Sequence, residues 1–159
     1  MTATISNPEN GKASTVKKTF SRETTVSTTI NADPAIVWAL LTNAGDYPRW
    51  NTTIVSIEGN IALGETIRLK STLDPKRVFK LKVKEAEPEK KLVWGDAMGT
   101  RVYTIAKTEI GTVEFSMTEK IGGPLFPLFA GMIPSFDESF TQFAACLKTE
   151  SEIINNTKK

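Results

Sequence analysis

Four charged side chains stand at positions where alternation along the predicted strands directs them toward the interior: Arg22, Asp96, Arg101 and Glu119. An arginine can stabilise an enolate and a carboxyl group can move protons, so a pocket holding both could act on a carbonyl compound. A lone buried charge is unfavourable by several kcal/mol, so inside an apolar space these groups must pair or hold a polar ligand group. Alternatively, each lies at a strand end where its long side chain reaches water.

The residue types that are missing restrict the chemistry further. The chain has no histidine and a single cysteine, Cys146, which excludes Ser-His-Asp and Cys-His nucleophile systems and the usual zinc sites. No glycine-rich phosphate loop and no nucleophile elbow is present. We therefore expect no metal and no cofactor. Arg101 and Glu119 are the candidate catalytic residues, but the lack of a dedicated acid–base pair weighs against an enzyme.

Residue alternation predicts the strands that must position these groups. The clearest case is Phe79, Leu81 and Val83, which alternate with three lysines, Lys80, Lys82 and Lys84. One apolar and one polar face indicate an antiparallel sheet with a single buried side. The predicted strands cover residues 19–30, 54–58, 65–71, 77–86, 91–96, 100–106 and 112–120.

Helix signals flank this run of strands. Asp33 and Pro34 predict an N-cap and first turn for a short helix over 34–42, followed by a turn or second short helix over 46–51. Ser135 and Glu138 predict a capping box for a long helix ending near residue 154. That helix carries Phe136, Phe140, Phe143 and Leu147 on one stripe, which needs a large apolar partner. We therefore predict an α+β fold, in which a curved antiparallel sheet of about seven strands wraps around the long C-terminal helix.

Composition limits the partners and the domain count. The chain of 159 residues carries 20 basic and 18 acidic residues, a balance that argues against a nucleic-acid partner. No apolar run is long enough for a signal peptide or a membrane span, so we expect no stable membrane insertion and a cytoplasmic location. We predict a flexible N-terminal tail over residues 1–18, one domain over 19–155 and a C-terminal tail over 156–159.

Several short motifs resemble a known family. They are INADPAIVWALLT at residues 30–42, YPRWN at 47–51, LVWG at 92–95, GT at 111–112 and EKIG at 119–122. With these motifs, residues 19–155 resemble the START-like (SRPBCC) superfamily, whose fold is the helix-grip, and most closely its polyketide-cyclase/dehydrase-like branch. The superfamily includes lipid carriers, hormone receptors, cyclases, ubiquinone-binding proteins and chaperone activators. The resemblance therefore implies a fold but does not settle a function.

A sheet that wraps a helix would place its inward side chains around a cavity. The predicted ligand-contacting residues are Arg22, Trp50, Phe79, Trp94, Asp96, Arg101, Tyr103, Phe115, Met117, Glu119, Phe126, Phe129, Phe136 and Phe140. The segment 122–133 is too apolar for a solvated loop and contains too many prolines and glycines for a regular helix. We predict that it folds as a hydrophobic lid over the mouth of the cavity.

Three functions are compatible with these observations. The first is binding of a small hydrophobic molecule, lipid-like or aromatic, between the sheet and the helix. The second is a polyketide cyclase or dehydratase, in which Arg22 or Arg101 stabilises an enolate and Glu119 or Asp96 moves protons. The third is a protein-interaction module or homodimer that uses the apolar segment 122–133.

Overall fold

An antiparallel sheet curves around one long helix in the computed structural model, which describes residues 10–157. Within this range the eight strands are β1 (Ser14–Lys17), β2 (Ser21–Ile30), β3 (Ile54–Glu58), β4 (Thr66–Ser71), β5 (Asp74–Glu87), β6 (Lys91–Gly95), β7 (Gly99–Lys107) and β8 (Val113–Gly122). The helices are α1 (Pro34–Thr42), α2 (Tyr47–Trp50), α3 (Phe126–Phe129) and α4 (Asp137–Thr157), with 3₁₀ turns at Ala44–Asp46 and Ala130–Met132. The predicted α+β helix-grip architecture is confirmed.

The strand order is β1-β2-β8-β7-β6-β5-β4-β3, and every neighbouring pair is antiparallel. The longest regular pairing joins β2 to β8, from Ser21 opposite Gly122 to Ile30 opposite Val113. This pairing brings the first strand of the predicted domain next to the last one. The remaining strands follow as a meander, since each is bonded to its neighbour in sequence.

The prediction of a flexible tail over residues 1–18 is wrong at its C-terminal end. Residues 14–17 form β1, which pairs with β2 in the register Ser14 opposite Thr25 to Lys17 opposite Arg22. The backbone N–H of Ala13 also donates to Thr141 Oγ1 at 3.0 Å. Pairing with the next strand thus orders a stretch too short and too polar to show a strand pattern. Residues 1–9 and 158–159 lie outside the described residues.

Both predicted helix starts agree closely with the structure. Asp33 caps α1, since its Oδ1 accepts from Ala35 N at 2.9 Å. Ser135 Oγ accepts from Asp137 N at 3.3 Å, and α4 begins at Asp137. However, α4 ends at Thr157, so the predicted C-terminal tail is wrong for residues 156 and 157.

The predicted phenylalanine stripe of α4 meets the concave side of the sheet. Phe143 lies in the centre, with its ring 5.8 Å from that of Tyr103 and 5.9 Å from that of Trp50. Phe140, Phe143 and Leu147 are buried, while Phe136 is half-buried. Burying each such side chain stabilises the fold by about 1.5–3 kcal/mol. The concave side of the sheet is therefore the large apolar surface that the phenylalanine stripe was predicted to pack against.

Several chain turns meet at one end of the sheet. Strand register places the β4–β5 and β6–β7 turns beside the end of β8, and residues 123–136 connect β8 to α4 at this same end. The β6–β7 turn is narrow, because a Cβ on Gly95 would lie 2.3 Å from the carbonyl oxygen of Gly99. We call residues 123–136 the mouth segment, since they border the opening described next.

Candidate functional site: a cavity between the sheet and the C-terminal helix

A cavity of about 210 Å³ lies at this end of the fold, between the sheet and the start of α4. Its walls come from β4, β5, β6, β7 and β8, from the two turns and from the mouth segment. Most of the lining is apolar, including Leu69, Phe79, Trp94, Ile121 and Phe136. The cavity is partly open to solvent, with Asp74, Arg77, Asp96 and Met98 around its mouth.

An ion pair lies inside the cavity wall. Arg101 and Glu119 face each other on β7 and β8, and Arg101 Nη2 donates to Glu119 Oε2 at 3.3 Å. Their side chains are 14% and 18% exposed. The guanidinium carbon also lies 5.0 Å from the centre of the Phe140 ring, a cation–π distance. The predicted alternation therefore brings these two candidates together.

Glu119 occupies only part of the hydrogen-bonding capacity of Arg101. Arg101 Nε is buried and has no hydrogen-bond partner within residues 10–157. Burial opposes the positive charge, but Glu119 and the neighbouring Tyr103 together outweigh that effect and raise the pKa of Arg101 above its ordinary value. The guanidinium thus stays charged, with N–H donors to spare.

Tyr103 lies next to this pair on the buried face of β7. Its hydroxyl is buried beside the Arg101 guanidinium and makes no well-aligned hydrogen bond with the described residues. Burial raises the pKa of Tyr103 to about 12, and the charge of the nearby Arg101 opposes the shift. The phenol is therefore neutral at physiological pH, available as a donor or an acceptor.

Six of the predicted ligand-contacting residues line the cavity: Phe79, Trp94, Asp96, Arg101, Glu119 and Phe136. Asp96, however, is an exposed turn residue. Its Oδ1 accepts from the backbone N–H groups of Met98 and Gly99, both at 2.9 Å. Asp96 thus matches the alternative of a strand-end residue beside the cavity, because β6 ends at Gly95 and the alternation stops there.

Arg22 is buried as predicted but does not line the cavity. Its Nη1 donates to the carbonyl oxygen of Ile133 at 3.1 Å and its Nη2 to that of Pro134 at 2.7 Å. Its guanidinium carbon lies 4.9 Å from the centre of the Phe136 ring. Since Ile133, Pro134 and Phe136 all line the cavity, Arg22 holds part of the wall in place from behind.

The other predicted residues lie outside the cavity lining. Tyr103, Phe115, Met117 and Phe140 belong to the buried core, as does Trp50, which packs edge-on against Phe143. Phe126 and Phe129 pack on each other within the mouth segment, with ring centres 5.8 Å apart.

Sequence reasoning missed the lining residues that come from turns. Ser71, Leu73 and Asp74 form the β4–β5 hairpin, and β5 starts at Asp74 rather than at residue 77. The sequence Asp74-Pro75 predicts a turn before a strand that starts at residue 77. Pairing of Ser71 with Asp74 instead carries the strand through Pro75.

The mouth segment covers one side of the cavity. Met132, Ile133 and Pro134 contribute to the lining, and the side chain of Phe126, near the start of the segment, is buried. Three large apolar side chains of the segment are nonetheless mostly exposed, including Met132 at the edge of the lining: Leu125 is 63% exposed, Leu128 79% and Met132 82%. The segment thus closes part of the mouth, as a lid would, while presenting three large apolar side chains to solvent.

Two further properties of the described residues bear on the site. No helix of residues 10–157 is both long and apolar enough to span a membrane. Within the same range, no cluster of three or more His, Cys, Asp or Glu side chains could hold a metal ion.

Solved structures share this fold at low sequence identity. A START superfamily protein from Mycobacterium smegmatis superposes with a TM-score of 0.60 at 15% identity, covering 83% of this chain and 98% of that one. A protein from Rhodobacter sphaeroides gives a TM-score of 0.62 at 18% identity, covering 93% and 100%. A hypothetical protein from Helicobacter pylori gives 0.65 at 12% identity, covering 80% and 86%.

Family membership follows from the sequence itself. No curated protein matches the chain. The family model described as "Polyketide cyclase / dehydrase and lipid transport" matches residues 21–152, which is nearly the whole described domain. The chain therefore belongs to this polyketide cyclase/dehydrase and lipid transport family, and it has the START-like helix-grip fold.

Proposed function

We propose that this protein binds a small, mainly hydrophobic molecule in the cavity between the sheet and α4. The observation that carries the proposal is an apolar cavity whose wall holds one ion pair with unused donors, Arg101 with Glu119. Ligand sites typically combine apolar walls with a few polar groups that fix orientation. The family and fold are those of hydrophobic-ligand-binding and polyketide-cyclase-like proteins, which supports this class of function.

The cavity volume favours a compact ligand. Engineered apolar cavities of about 150 Å³ bind benzene, and sites for drug-sized molecules span about 300–1,000 Å³. At about 210 Å³, this cavity suits a molecule of one or two rings, or a short chain. A longer lipid-like chain would have to extend through the open mouth. Our proposal therefore places aromatic ligands ahead of complete lipids.

The test is a titration of the purified protein with the neutral two-ring compound 2-acetylnaphthalene. Trp94 lines the cavity, so binding should change tryptophan fluorescence, and calorimetry should give one site per chain. Leu81→Trp should fill the cavity and weaken binding at least about tenfold, because overpacking leaves no room for the ligand. Lys80→Trp, the neighbouring outward-facing position, is the matched control and should bind normally. Equal binding by both variants would contradict the proposed site.

A polyketide cyclase or dehydratase is the second candidate, favoured by the same ion pair. Arg101 could stabilise an enolate through its free N–H donors, while Glu119 and the Tyr103 hydroxyl stand nearby as proton-transfer groups. Against this candidate, Glu119 already accepts a hydrogen bond from Arg101. Turnover of poly-β-keto substrates that is unchanged in Arg101→Ala would remove this role. A cytoplasmic location and the lack of nucleic-acid partners remain predictions.

A further inference from the structure

The interior charge next to the cavity is not balanced. Two buried guanidinium groups, Arg22 and Arg101, lie at this end of the fold. Among the described residues, Glu119 is the only carboxylate within 4.0 Å of either group. Within residues 10–157, the Arg22 guanidinium contacts only uncharged groups, namely two carbonyl oxygens and the ring of Phe136. The buried side chains here therefore carry one positive charge in excess.

Two polar groups beside this charge have no partner. Arg101 Nε and the Tyr103 hydroxyl are buried without hydrogen bonds in the described part of the chain. Unsatisfied buried groups of this kind are rare in folded proteins and usually need an explanation. Arg101 Nε can only donate, so the group that satisfies it must be an acceptor, whereas the Tyr103 hydroxyl can donate or accept.

The charged side chains at the mouth of the cavity do not cancel the excess positive charge of the buried side chains. Asp74 and Asp96 are exposed, and the Asp96 carboxylate is occupied by two backbone N–H groups of its turn. Arg77, which stacks on Phe79 at 4.6 Å, adds a positive charge at the same opening. Solvent screens these exposed groups, whereas the buried groups are screened much less. The interior charge therefore dominates for a ligand seated at Arg101.

We propose that the ligand is an amphipathic monoanion: a compact ring system or short chain bearing one carboxylate or similar oxyanion that sits against Arg101. This inference rests on the proposed function and specifies its ligand class. The anion balances the excess positive charge, and its oxygens accept from the guanidinium of Arg101, which lines the cavity. A neutral ketone offers the same acceptor geometry but leaves the charge unbalanced.

Three matched probes test the proposal on the full chain: 2-naphthoate, neutral 2-acetylnaphthalene and 2-naphthylmethylammonium. We expect naphthoate to bind about tenfold or more tightly than the ketone, because charge-assisted hydrogen bonds contribute roughly 1.5–3 kcal/mol. The ammonium compound should bind most weakly. Equal affinity for naphthoate and ketone overturns the anion proposal but leaves the binding function intact. Tightest binding of the ammonium compound also overturns it, while no binding of any probe contradicts the proposed function itself.

Charge variants give an independent test. Glu119→Gln keeps an acceptor for Arg101 but removes the competing negative charge, so the ratio of naphthoate affinity to ketone affinity should rise about threefold or more. Arg101→Gln should abolish the preference for naphthoate over ketone. Arg101→Lys retains the charge and should keep part of the preference, which covers the case in which Arg101→Gln does not fold. Lys84→Gln, an exposed change of equal charge on β5, is the control. A fall in the ratio of naphthoate affinity to ketone affinity in Glu119→Gln would overturn the proposal.

Discussion

At the scale of single residues, the two tyrosines of the chain form a natural comparison. Both are buried, but the Tyr47 hydroxyl donates to the carbonyl oxygen of Leu41 at 2.7 Å, whereas the Tyr103 hydroxyl has no partner within residues 10–157. A buried group that cannot form a hydrogen bond destabilises the folded state by its full desolvation free energy. Replacing each tyrosine by phenylalanine should therefore change the free energy of unfolding in opposite directions.

Tyr103→Phe should raise the free energy of unfolding by about 1 kcal/mol, because it removes an unsatisfied hydroxyl. Tyr47→Phe should lower it by about 1 kcal/mol, because the carbonyl oxygen of Leu41 loses its donor. Urea denaturation of the unliganded protein measures both values. A clear loss of stability in Tyr103→Phe would mean that its hydroxyl is satisfied in the free protein.

Alkaline pH should destabilise the protein through the same residues. Burial raises the pKa of Tyr47 well above its ordinary value, and that of Tyr103 to about 12, while unfolded tyrosine titrates near pH 10. The folded state thus keeps protons that the unfolded state releases. This stability is fully present below about pH 10 and is lost as pH rises toward the folded pKa.

The Tyr103 contribution to this loss amounts to about 2–3 kcal/mol by about pH 12, since each unit of pKa shift corresponds to about 1.4 kcal/mol. Denaturation series at roughly pH 9, 10 and 11 should show a shallower decline for Tyr103→Phe than for the wild-type protein. Parallel pH profiles for the two proteins would contradict a raised pKa at Tyr103.

At the scale of elements, the mouth segment depends on one residue of a distant strand. Arg22 on β2 binds two consecutive carbonyl groups just before α4, at Ile133 and Pro134. It thereby fixes the part of the segment that lines the cavity, whereas Leu125 and Leu128 remain outside. Arg22 is in this sense a positioning residue for the cavity wall rather than a ligand-contacting one.

Arg22→Met should loosen the mouth segment, because it leaves both carbonyl groups without their donor. We expect faster amide hydrogen exchange across residues 123–136, unchanged exchange in β6 and β7, and faster release of bound naphthalene probes. Arg68→Met, the same substitution at an exposed arginine of β4, is the control. Unchanged exchange in the mouth segment of Arg22→Met would show that α3 and the buried Phe126 hold it without Arg22.

Strand alternation accounts for what was predictable about these elements. The side chains of Arg101 and Glu119 alternate regularly with outward residues on β7 and β8, so their inward direction followed from the sequence. The partners of Arg22 lie 111 and 112 residues away, and no local pattern encodes such a contact. Asp96 lies just beyond the end of β6, where alternation no longer fixes the direction of a side chain. Strand β1 was missed because its order comes from pairing with β2.

At the scale of the whole molecule, the fold was predictable because most of its determinants are local. Periodicity defines the strands and the phenylalanine stripe of α4, and cap residues define the helix starts. The cavity was less predictable, because its volume depends on how two hairpin turns and the mouth segment meet in space. The ligand class could be inferred only after the burial of each charge was known.

The interaction-module hypothesis concerns the outer surface of the mouth segment. Leu125, Leu128 and Met132 are all more than half exposed, and contiguous apolar surface of this kind often marks a contact site. If the protein forms a homodimer through this surface, light scattering should show a mass that rises with concentration, and Leu128→Lys should abolish the rise. Ile110→Lys, at another exposed apolar position, is the control. A constant monomer mass would remove the homodimer hypothesis.

The N-terminal residues have a consequence for the integrity of the sheet. Residues 14–17 pair with β2, Gly11 N donates to the carbonyl oxygen of Ser27 at 2.6 Å, and Asn10 Oδ1 accepts from Thr29 N at 3.1 Å. Together they occupy most of the open edge of a strand rich in threonine and valine. Unpaired edges of this kind are templates for intermolecular β-pairing. The short N-terminal stretch therefore covers this edge of β2, and removing it would expose the edge as a site for aggregation.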